Sequence, residues 1–123
     1  MATKKDIIID FNARCSELIN MFPYEIISRS TRTKYSMGIK ANAMIGIEQF
    51  ICHVLQHRQK IEDRDEEFFQ QNNYEVEDDA VNNIINLIKT ASLSFTPEEK
   101  QTYWLYMNML VSIADDYVEL IIK

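Results

Sequence analysis

From Ile7 to Phe22 the bulky apolar side chains return every three or four positions, so that Ile7, Ile8, Phe11, Cys15, Leu18, Ile19 and Phe22 lie along one stripe of a helix. Thr3 supplies an N-cap oxygen, and Asp6 places negative charge in the first turn, where the helix dipole favours it. Pro23 then stops the helix. Between Tyr24 and Lys40 the stripe fades. Ser28, Ser30, Thr31, Thr33 and Ser36 compete for backbone hydrogen bonds, and Ile26, Ile27 and Tyr35 are the bulky apolar side chains, which predicts a loop with one short helix. A long second helix is expected from about Met37 to Phe69, with Met44, Ile47, Ile51, Val54, Leu55 and Ile61 facing inward. Gly38 and Gly46 lie eight apart on nearly one face, where they weaken a helix unless another backbone approaches closely.

Gln70, Gln71, Asn72 and Asn73 form a polar connector, after which Asp78 or Asp79 caps a third helix carrying Val81, Ile84, Ile85, Ile88 and Ala91. The clearest local signal is Thr96, Pro97, Glu98, Glu99: an N-cap oxygen, a proline at the first helical position and a glutamate that returns the bond. The helix that follows has two apolar faces. Tyr103, Tyr106, Met107, Leu110, Ile113, Ala114, Tyr117 and Ile121 form the broad one, and Trp104, Val111, Val118 and Ile122 a flanking one. The expected fold is therefore all-α, a single-domain irregular helical bundle of about four main helices over residues 1–123. Its core is expected at Phe11, Leu18, Ile47, Ile51, Val54, Leu55, Ile84, Ile88, Met107, Leu110 and Tyr117.

Composition supports that class. In 123 residues there are only 2 glycines and 2 prolines, too few to turn an all-β chain every eight to twelve positions. Apolar residues make up 46%, enough for one core and short of a second at this length. Runs such as Ile7 to Ile9 and Val118 to Ile122 fall far below the roughly 18 residues that cross a bilayer, so no membrane partner is expected. Asp6 and Asp10 interrupt any export signal, and Cys15 and Cys52 have no CxxC spacing. Both features point to a reducing, cytoplasmic setting.

The net charge of −6 is unevenly spread: residues 1–61 carry +4 and residues 62–123 carry −10. Arg29, Arg32, Lys34 and Lys40 gather among hydroxyls and Tyr35, a composition suited to phosphates, and this makes nucleic-acid binding the alternative function. The acidic balance of the whole chain opposes it. The acidic runs at residues 62–67 and 75–79 read as solvated helix faces and starts.

Catalytic chemistry finds no foothold. His53 and His57 stand four apart near Cys52 and Glu48, but the glutamate of an HExxH motif is missing and Cys52 points about 100° from His53. No metal site or cofactor is assigned to them. There is no Gly-rich phosphate loop, GxSxG elbow or EF-hand loop, so the chain reads as non-enzymatic. The surplus apolar surface of the last helix instead suggests a protein-protein interaction module, a homo-oligomer or an adaptor, with Trp104, Val111, Val118 and Ile122 as the partner-binding set.

The acidic stretch Ile61, Glu62, Asp63, Arg64, Asp65, Glu66, Glu67, Phe68, Phe69, followed by a tryptophan-bearing last helix with Ala114, Tyr117 and Ile121, resembles small uncharacterised helical proteins of large DNA viruses and phages. The resemblance covers about half the chain. It implies a viral origin and the cytosol of an infected cell, and it carries over no catalytic residue.

Overall fold

The computed structural model describes residues 2–72 and 79–122. Among them are seven α-helices, one 3-10 turn and no strand: α1 (Lys4–Asn20), α2 (Arg29–Ala41), α3 (Ile45–His53), the 3-10 turn Leu55–His57, α4 (Arg58–Glu62), α5 (Glu66–Gln71), α6 (Asp79–Ser92) and α7 (Pro97–Ile121). The all-α expectation stands, and the count of four main helices is corrected. Asn73 and Asp78 lie outside the described residues.

The helix starts predicted at Thr3 and Thr96 are present as reciprocal capping boxes. The Asp6 amide donates to Thr3 Oγ1 at 3.2 Å while the Thr3 amide donates to Asp6 Oδ2 at 3.0 Å. Thr96 and Glu99 repeat the arrangement ahead of Pro97. α1 ends in a tightened turn, with the Met21 and Phe22 amides bonding to Leu18 and Ile19 carbonyls, and Pro23 follows.

The segment expected to be mostly loop instead holds the thirteen residues of α2. Ser28 accepts from the Thr31 amide, so a side chain read as a competitor for the backbone acts as the N-cap that lets the helix start. The single long helix expected over residues 37–69 is broken into pieces. Straight, it would run about 50 Å, well beyond a domain with a radius of gyration of about 14 Å. Asn42 ends α2 in an extended conformation and its side chain accepts from the Met44 amide; Asn12 of α1 then holds the corner by donating to the Ala43 carbonyl at 2.8 Å. Val54 caps α3, its amide bonding to the Phe50 carbonyl at 2.8 Å, and the chain tightens into the 3-10 turn after it.

Between α4 and α5 the chain makes a Schellman stop. The Asp65 amide bonds to the Lys60 carbonyl, the Arg64 amide to that of Ile61, and Arg64 sits at φ 53° in the left-handed region. Asp65 at once caps α5 by accepting from the Phe68 amide at 3.1 Å. Stop and start thus occupy three residues.

α1 and α7 form the central pair and run antiparallel: Lys4 lies over the Tyr117 ring, and at the other end Tyr106 donates to Glu17 at 3.1 Å. One core cluster joins Ile7, Ile8 and Phe11 to α3, α4, α5 and most of α7. The other gathers Leu18, Ile19, Phe22, Ile27, Tyr35 and Ile84 around the far end of α1. Every residue of the expected core belongs to, or packs against, one of these clusters. At Gly46 α3 lies tight against α1, since a Cβ there would stand 3.2 Å from Asn12 Oδ1 and 3.5 Å from the Phe11 ring.

Candidate functional site

The flanking face of the last helix is split by the fold. Trp104 is 3% exposed, its indole edge-on to Phe69 and Tyr103, and Val111 is buried beside it. These two side chains are taken up by the chain's own core rather than by a free surface, a correction to their expected role as partner contacts. The reason is α5: the Schellman stop turns Phe68 and Phe69 back over α7, and Phe69 covers the indole. Val118 is half-buried against the same cluster, and Ile122 remains 76% exposed.

What α7 does present outward is different. Leu105 and Leu120 are exposed, and half-buried Met109 lies between them. On a helix these three fall within about 60° of one another. Ile121 and Ile122 extend the apolar surface at the helix end.

The basic set divides as well. Arg29, Lys34 and Lys40 are exposed on α2, whereas the Arg32 guanidinium is spent internally. Its Nε donates to the Ile27 carbonyl at 2.9 Å, Nη1 to Asn20 Oδ1 at 2.9 Å, and Nη2 to the Phe22 carbonyl. One side chain therefore closes the α1–α2 corner. Arg29 and Arg32 both lie 4.6 Å from the Tyr24 ring centroid. At 100° per residue Lys40 points within about 20° of Arg29 while Lys34 points about 140° from it, so Lys34 and the internally spent Arg32 are separated from the side that Arg29 and Lys40 share.

His53 and His57 lose the helical i, i+4 relation because α3 ends between them. The His57 ring packs edge-on to Phe68 at 4.8 Å. Among the described residues no group of three or more His, Cys, Asp or Glu side chains gathers as metal ligands do. No helix among them is long and apolar enough to cross a membrane.

A feature absent from the sequence reading is a cavity of about 160 Å³ where the two core clusters meet. Phe11, Phe50, Met107 and Leu110 of one cluster and Leu18, Tyr35 and Ile84 of the other line it, with half-buried Gln49, His53, Ile85 and Lys89 among its walls.

Cys15, Tyr35, Gln49, His53 and Lys89 bring polar groups to this largely apolar space. Cys15 and Tyr35 are hydrogen-bonded to each other, and burial pushes the Cys15 thiol up to about 12 and the Tyr35 phenol above its ordinary range. Both stay neutral at physiological pH. Gln49 Oε1 is buried and accepts no hydrogen bond from the protein. Lys89 is engaged elsewhere, its Nζ donating to the Asn72 carbonyl at 2.7 Å. No sequence signal marks this constellation: nothing in the pattern singles out Gln49, and Cys15 is a member of the apolar stripe. No family model, curated protein or solved structure matches the chain.

Proposed function

We propose that the chain is a non-enzymatic protein-interaction module whose contact surface is the outward side and C-terminal end of α7. The observation that carries this reading is the exposure of Leu105 and Leu120 on the side of α7 turned away from the core, together with that of Ile121 and Ile122 where the helix runs out at its C-terminal end. Aliphatic side chains gathered in this way are covered in associations between proteins more often than they are left to water. Ile122 is retained from the flanking set, and Leu105, Met109 and Leu120 take the place of Trp104 and Val111. A second copy of the chain is the partner this reading commits to, since an isologous contact needs no other component. The resemblance of residues 61–69 and the last helix to viral and phage proteins implies an infected cell as the setting.

Sedimentation equilibrium over a wide concentration range tests the reading. The wild type is expected to associate, and the triple variant Leu105→Glu, Leu120→Glu, Ile122→Glu to sediment as a folded monomer. A wild type that stays monomeric throughout overturns it.

A further inference from the structure

We propose that the cavity between the two core clusters is a binding site for a small, uncharged, largely apolar molecule that carries one hydrogen-bond donor. Size, wall chemistry and the unmatched polar atom each narrow the ligand. At about 160 Å³ the space is close to that of engineered apolar cavities, about 150 Å³, that take up benzene, which sets the ligand at roughly six to nine non-hydrogen atoms. Phe11, Phe50, Met107 and Leu110 offer aromatic edges, thioether and methyl groups, and the Lys89 ammonium on the wall is already bonded to the Asn72 carbonyl, so the lining favours an uncharged ligand.

The donor requirement comes from Gln49. Its buried Oε1 lies on a side chain lining the cavity and receives no hydrogen bond from the protein. A buried acceptor left in this state destabilises the fold, and a ligand N–H or O–H placed against it removes that penalty. Cys15 and Tyr35 already satisfy each other and do not compete. The inference is independent of where a protein partner sits, because the outward residues of α7 do not line the cavity.

The probes are indole, which carries a donor, and benzene, which does not. In thermal unfolding, each probe at ten times its dissociation constant multiplies the folding equilibrium constant about elevenfold and raises Tm by about 5 °C. Gln49→Leu leaves the response to benzene and weakens indole about two- to tenfold. Ile84→Phe and Ile88→Phe, which place a ring in the cavity, abolish both responses. Alkylation of Cys15 provides a second readout independent of how much these variants shift Tm: bound probe slows it about elevenfold in the wild type and not in the filled variants. Absence of any Tm shift or protection with both probes overturns the site, as does an undiminished response in both filled variants. An indole-to-benzene ratio unchanged by Gln49→Leu overturns the donor-bearing class.

Discussion

Cys15 and Cys52 have the same chemistry in sequence and opposite surroundings in the fold. Cys52 is exposed on the last turn of α3, whereas the Cys15 sulfur lies between the two core clusters, bonded to Tyr35, with its thiol raised to about 12. A raised folded-state value means that the neutral thiol is favoured by the fold. Its stabilising contribution is complete below the thiol's ordinary range and is lost as pH climbs towards 12, because the unfolded chain releases this proton first. Tyr35 is shifted in the same direction and steepens the loss. Urea unfolding followed from pH 8 to pH 11 is expected to show a falling midpoint, and Cys15→Ala to reduce the slope by about one proton. In the native protein at pH 8 a thiol reagent is expected to label Cys52 quickly and Cys15 only on opening of the core.

At the scale of elements, stops matter more than starts. Thr3 and Thr96 announced their helices because an N-cap acts through neighbours three residues away. The end of α4 gave no such notice: its stop uses a left-handed residue, and that residue is an arginine where glycine is the usual choice. Arg64→Gly removes the Cβ clash at φ 53° and is expected to stabilise the protein by about 0.5–1 kcal/mol, read as a higher urea midpoint at unchanged slope. Were residues 58–71 a continuous helix, the same substitution would destabilise by a similar amount, since glycine disfavours a helix interior by about 1 kcal/mol. The sign of the change therefore reports the break directly. α2 shows the converse case, in which the serine and threonine content that argued for a loop includes the Ser28 cap that makes a helix possible.

For the whole molecule, α7 is central because α1, α3 and α4 all pack on it, and Trp104 is the largest side chain it contributes. Trp104→Ala is expected to cost about 3–5 kcal/mol, a large share of a total stability that for domains of this kind is about 5–15 kcal/mol. Its fluorescence in the native protein is expected to be blue-shifted and poorly quenched by acrylamide. A red-shifted, readily quenched indole would instead return Trp104 to the surface role that its flanking position suggests.

Sequence periodicity by itself determined that the chain is helical, where α1 and α7 begin and that Phe11, Leu18, Ile47, Leu55, Ile84, Met107, Leu110 and Tyr117 are core side chains, since these depend on local hydrogen bonding and on which side of a helix is apolar. The 123-residue length set how far a helix can run, but not where residues 37–69 would fold back. That Trp104 and Val111 of the flanking face of α7 would be buried along with the broad face was decided only when α5 turned Phe69 onto Trp104. The use of Arg32 inside a corner and the meeting of Gln49, Cys15 and Tyr35 at one cavity likewise depend on contacts between residues distant in the chain. A side chain's neighbours across space carry no trace in its own spacing, so the candidate site belongs to the tertiary structure alone.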